Sequence, residues 1–183
     1  MPRRTRKTFT RKQSTRPLLI SLIVLCGLFA FAQNKLGNHN GSLLPSDNEL
    51  VRVNDGDTLS LRTSSGEMLT VRLYGIDSPE LHQAGGKAAR SYTSELAMLK
   101  TVRLTVIYTD QYGRKVVLVH LPDGKILNRE LVAAGQAWVY TNYCHEDFCA
   151  EWELLQQQAR AEKKGLWGGE NPQAPWKWRK QHH

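Results

Sequence analysis

Asp55, Asp57, Asp77 and Glu80 fall within 26 residues of the chain, and Arg72 lies among them. Four carboxylates and one guanidinium in so short a stretch make a poor hydrophobic core. They make a good seat for a hard cation beside a phosphate. Oxygen donors select Ca²⁺, Mg²⁺ or Mn²⁺ over zinc, and a guanidinium offers phosphate oxygens a planar fork. Each piece taken singly is ordinary. Asp55-Gly56 signals a tight turn in which glycine tolerates positive φ, Asp77-Ser78-Pro79 opens loops, and a lone strand arginine commonly faces water. Those separate readings leave unexplained why the acids gather about one arginine.

Short strands must position these groups. Leu50-Val51-Arg52-Val53 alternates, Thr58 to Arg62 alternates again, and Met68 to Tyr74 forms a third strand. Leu69, Val71 and Leu73 share one face of that strand, which puts Arg72 on the other. Pro79 blocks any continuation beyond Asp77.

Two separated motifs carry a family resemblance. Asp55-Gly56-Asp57-Thr58, Arg72-Leu73 and Ile76-Asp77-Ser78-Pro79-Glu80 resemble the first motif of the staphylococcal nuclease (thermonuclease) family, and Asp110-Gln111-Tyr112-Gly113-Arg114 resembles its second. The resemblance covers roughly residues 48 to 168. It implies an α+β fold, a five-stranded OB-fold β-barrel with three helices, whose face and loops suit oligonucleotides. It implies that Asp57 and Asp77 bind Ca²⁺ through side chains and Ser78 through its carbonyl. Arg72 and Arg114 then hold the scissile phosphate, Glu80 activates or orients the water, and Asp55 supports the ligands from behind. Tyr112 and Tyr143 become nucleotide contacts. The implied reaction is hydrolysis of DNA and RNA, leaving a 3′-phosphate and a 5′-hydroxyl. No obligate protein partner follows. Gln111 stands where the family often has Lys or Arg, Ser78 replaces a frequent Thr, and Val117 and His120 depart from the usual residues after the second motif. Family members used as binding modules lack part of the acid–arginine set; this chain has all of Asp57, Arg72, Asp77, Glu80 and Arg114. A non-catalytic OB-type module that binds nucleic acid or protein is the competing expectation.

The remaining pattern supplies two further strands, Val102 to Tyr108 and Val116 to Leu121, and three helices. Lys87 to Lys100 presents Ala89, Tyr92, Leu96 and Leu99 as an apolar face. Asn128 reads as the cap of Arg129 to Ala134, which Gly135 stops. Phe148 to Lys164 aligns Phe148, Trp152, Leu155 and Ala159. Residues 169 to 183 read as a tail of Trp and basic residues that packs on the domain or stacks on bases.

The net charge of +8 is mostly an N-terminal property. Residues 1 to 17 hold seven of the 25 basic residues and no acid, leaving 18 basic against 17 acidic. Overall charge is therefore weak evidence for nucleic-acid binding. Leu18 to Ala32 is a run of 15, apolar but for Ser21, and ends in Ala30-Phe31-Ala32. It is short for a membrane span, which needs about 20 residues, and suits a signal-peptide core with an A-x-A cleavage site. Residues 1 to 32 are thus a signal peptide or, as the alternative, an uncleaved N-terminal anchor, which would be the only membrane attachment. Residues 33 to 47 are a linker. Either way the domain is expected outside the cytoplasm, secreted or periplasmic, or anchored there. On that side Cys144 and Cys149 read best as a disulfide. Zinc would want a fourth ligand beyond these and His145, and two free thiols are the alternative.

Overall fold

The computed structural model describes residues 42–43 and 48–182. The apolar N-terminal run falls outside the described residues, as does the expected linker except Ser42–Leu43, which form a short strand. Among those described, no helix is long and apolar enough to cross a membrane.

The described residues form eight strands: β1 Ser42–Leu43, β2 Asn48–Val53, β3 Thr58–Arg62, β4 Met68–Leu73, β5 Ile76–Asp77, β6 Thr101–Thr109, β7 Lys115–His120 and β8 Trp138–Val139. The main sheet runs β1-β6-β2-β3-β4-β7, and β7 pairs again with β6. That second pairing closes β2, β3, β4, β6 and β7 into a five-stranded barrel, with β1 appended to β6. Closure leaves no free edge among the five. All pairs are antiparallel except β4 with β7, where Arg72 faces Val116.

Alternation decides the interior. Leu59 and Leu61 of β3, Val71 and Leu73 of β4, and Val102 and Leu104 of β6 are each at most 1% exposed. Each such side chain contributes about 1.5–3 kcal/mol on leaving water. The odd–even pattern that buries Val71 and Leu73 puts Arg72 on the other face of β4, where it remains partly accessible.

Among the described residues four α-helices surround the barrel: α1 Gly86–Ala97, α2 Leu127–Ala133, α3 Cys149–Ala161 and α4 Pro175–His182. The sequence reading names three; α4 is additional, and folds most of the expected tail. Two other expectations change. Asn128 does not cap α2, which Ile126 precedes. It is fully buried inside the helix, and its amide bonds Val119 N–H and the carbonyls of Tyr74 and Val117. The amide thereby satisfies backbone groups where β4 ends beside β7, which no apolar residue could do. Leu99 does not join the α1 core face but is 72% exposed. The chain leaves the helix at Met98, takes φ 58° at Leu99, and bonds Leu99 N–H to the Leu50 carbonyl. That backbone bond to β2 swings the side chain outward. Thr93 lies buried on α1 and donates to the Gly56 carbonyl at 2.8 Å.

Candidate active site

Two turns bring the acids together. In the β2–β3 turn, Oδ1 of Asp55 accepts the N–H groups of Asp57 at 3.0 Å and Thr58 at 2.6 Å. Asp55 therefore shapes the backbone that carries Asp57. Gly56 serves a different purpose from that expected: its φ is not positive. A Cβ there would stand 2.5 Å from the Ser78 Cβ and 3.0 Å from that of Ala89. The glycine is needed because the second turn packs directly on the first.

That second turn begins at Gly75, whose φ of 70° kinks the chain out of β4. β5 follows and pairs with β8, setting Asp77 opposite Trp138. Ser78 N–H then donates to Oδ2 of Asp57 at 2.5 Å. Asp57 and Asp77 are 1% and 0% exposed.

Buried carboxylates need compensating charge. Arg72 supplies it by pairing with Oδ1 of Asp57 and, at 2.6 Å, with Oδ1 of Asp77. A second guanidinium, from Arg179 on α4, reaches the same group. It bonds Oδ1 of Asp77 at 3.2 Å, Oδ2 at 2.9 Å and Oε1 of Glu80 at 2.8 Å. Burial works against the charge of Arg179, but these bonds outweigh it and raise its pKa above the ordinary arginine value. Three carboxylates and two guanidiniums thus form one cluster, with one negative charge in excess.

The donor set is oxygen only, which fits a hard divalent cation and excludes a thiolate or imidazole zinc site. Asp57, Asp77 and the Ser78 carbonyl are the groups that could hold it. The Ser78 hydroxyl is buried against Gly56 without a hydrogen-bond partner among the described residues. Among those residues no three His, Cys, Asp or Glu side chains group to enclose an ion alone. A cation here relies on backbone oxygen and water as well.

The other expected residues make contacts of their own outside this cluster. Arg114 sits at the start of β7, two residues before Val116, the register partner of Arg72. Its Nε donates to Oδ2 of Asp110 at 2.8 Å and its guanidinium lies 5.4 Å from the Tyr112 ring centre. Burial pushes the Asp110 carboxyl up, but hydrogen bonds from Arg114 and from the Tyr112 N–H overcome this and hold it below the ordinary range. Tyr112 and Tyr143 are 75% and 51% exposed, as aromatic contacts to a nucleotide require. Tyr143 rests against Tyr140, and Tyr140 stacks on Trp176 of α4 with centroids 4.8 Å apart. Burial, with the charge of Asp77 second, raises the Tyr140 pKa. Cys144 and Cys149 are disulfide-bonded, with Cα atoms 5.7 Å apart, and the bridge packs on Gly75. His120 meets Thr105 through Nε2 at 2.8 Å and lies on a strand face.

Sequence reasoning missed Arg179. Only the helix is signalled, Pro175 being a favoured first residue with Arg179 one turn beyond it; the contact with Asp77 is not.

An OB-type barrel that clusters acids and arginines at turns leaving its strands defines a class of proteins acting on phosphates. Residues 70–169 match the model of the staphylococcal nuclease homologue family, and the chain belongs to that family. It is 39% identical over 130 residues to a protein named uncharacterized endonuclease from Escherichia coli O157:H7, covering 71% of this chain and 82% of the relative. It is 35% identical over 140 residues to a micrococcal nuclease of Shigella flexneri, covering 72% and 79%. With a staphylococcal-like nuclease CAN1 of Arabidopsis thaliana it shares 36% identity over 110 residues, 60% of this chain and 33% of the relative. The family match includes Arg72, Asp77, Glu80 and Arg114; Asp57 lies before it and Arg179 beyond it.

Proposed function

We propose that this protein is an exported, Ca²⁺-dependent nuclease that hydrolyses phosphodiester bonds of DNA and RNA. The observation that carries the reading is the convergence of Asp57 and Asp77 on Arg72 where β3, β4 and β5 meet, with Glu80 joined to Asp77 through Arg179. The endonuclease and micrococcal nuclease names of its relatives support the substrate class.

Asp57 and Asp77 hold the ion with the Ser78 carbonyl; when bound, it neutralises phosphate charge in place of lost water. Arg72 orients the phosphate from one side and Arg114, which immediately precedes β7, from the other. Their donors act on charge that grows as the phosphorus becomes five-coordinate. Glu80 is the longest acid of the set and the most accessible, with its side chain 34% exposed against 1% or less for the two aspartates. That makes it the base that takes a proton from an attacking water. Tyr112 and Tyr143 give bases apolar faces on which to stack. Departure of the 5′-oxygen leaves a 3′-phosphate and a 5′-hydroxyl, as the family resemblance implies.

Export is supported by the basic and apolar N-terminal segments and by the disulfide, which belongs to oxidising compartments. The product of that reading is a secreted or periplasmic domain, or one anchored outside the cytoplasm.

Calcium calorimetry on the wild type and Asp77→Ala tests the site. The wild type binds and the variant does not; a variant that binds normally puts the ion elsewhere.

A further inference from the structure

We propose that Arg179 is a positioning residue of this site, the guanidinium that holds Glu80 beside Asp77. The proposal rests on the nuclease reading above.

The helix that carries it is built for delivery. Pro175 starts α4, and Arg179 and Lys180 lie in its last turn, where positive charge suits the helix dipole. Arg179 lies four residues after Pro175 and three after Trp176, so it neighbours both on the helix surface. Pro175 is the residue of α4 that is buried. Trp176 stacks on Tyr140 with the rings 2° from parallel, and meets the Trp138 ring edge at 5.7 Å. Trp138 is also the register partner of Asp77. The aromatic contacts therefore fix α4 to the same strand pair that sets Asp77.

Glu80 is tied to the C-terminal segment at both ends. Its side chain takes a bond from Arg179 at 2.8 Å. Its N–H donates at 3.2 Å to Oε1 of Gln83, whose Nε2 donates at 2.7 Å to the Gln173 carbonyl, two residues before α4. The expected base thus takes its place from residues about 90 positions later in the chain. One planar guanidinium spans both carboxylates; a lysine ammonium could not match that fork.

Charge points the same way. Asp57, Asp77 and Glu80 bring three negative charges, and Arg72 and Arg179 two positive. A divalent cation and a phosphodiester bring this set to neutrality. Without Arg179 the loaded site stays negative while the phosphate gathers further charge, which opposes reaction. Arg114 does not substitute, since its own charge faces Asp110.

Two measurements on the full-length protein test the role. In the first, Arg179→Ala lowers kcat by about 10²-fold, the scale of a misplaced catalytic group, with KM changed far less and melting temperature kept. Arg179→Lys recovers only part. Combined with Glu80→Gln, Arg179→Ala costs little more, because both changes remove the same placed base. Wild-type kcat in Arg179→Ala, or full additivity with Glu80→Gln, overturns the proposal. In the second, amide hydrogen exchange of residues 175–182 is followed with and without Ca²⁺. Protection is retained or increased when Ca²⁺ binds. Loss of protection on Ca²⁺ binding overturns the role, since α4 would then be a plug that the ion expels. An inactive wild type contradicts the nuclease reading itself, whereas an active wild type matched by Arg179→Ala contradicts only the role of Arg179.

Discussion

The Ser78 N–H and Oδ2 of Asp57, 21 positions apart, meet at 2.5 Å and lock two turns into one unit. Gly56 permits the approach, because any side chain there would meet Ser78. Gly56→Ala should therefore destabilise by about 1–3 kcal/mol, as overpacking does, and separate Asp57 from Asp77. Thermal melting and cleavage rate should fall together. A variant with wild-type melting and turnover would mean that the turns yield without cost.

Arg114→Lys should not be conservative. Lysine keeps the charge and loses the fork. If Arg114 holds the phosphate as charge develops, kcat falls about 10²-fold or more. Near-normal turnover would reduce Arg114 to a partner of Asp110.

The Asp110 carboxyl makes a pH prediction. Its folded pKa lies below the ordinary value, so its contribution to stability is fully present above about 3.9 and is lost as pH falls through the depressed folded value. The melting-temperature gap between the wild type and Asp110→Asn should be constant near neutrality and close on strong acidification. A gap that widens on acidification would contradict the assignment.

Much of the fold is legible because it rests on period. Alternating apolar residues mark β3 and β4, a continuous Val and Leu run marks β7, and Trp152, Leu155 and Ala159 mark α3. The central acids are legible because Asp57, Arg72, Asp77 and Glu80 are close in sequence as well as in space. Three features escape for physical reasons. Gly56 is explained by contact with Ser78, which no local rule contains. Asn128 resembles a cap but serves backbone groups of two distant strands. Arg179 reaches Asp77 across 102 positions, and such a contact has no local trace.

Glu80→Gln keeps size and hydrogen bonding but removes the basic oxygen. Turnover should fall by about 10²–10⁴, the range for a general base, with Ca²⁺ affinity changed little. Recovery of wild-type turnover at saturating Ca²⁺ would make Glu80 a metal ligand instead.

The Cys144–Cys149 bridge closes a short loop before α3 and should contribute about 2 kcal/mol. Non-reduced peptide mapping of the native protein should find the two peptides joined. Two alkylatable thiols in the native protein would contradict the pairing.

The central claim is that the clustered aspartates serve a metal-dependent nuclease. Digestion of DNA and RNA by the purified protein, assayed before chelation, after EDTA and dialysis, and after Ca²⁺ is restored, tests it most directly. The account predicts cleavage of both polymers, its loss on chelation and its return with Ca²⁺. Undiminished cleavage after chelation and dialysis would contradict the metal role, and no cleavage under any of the three conditions would contradict the nuclease assignment.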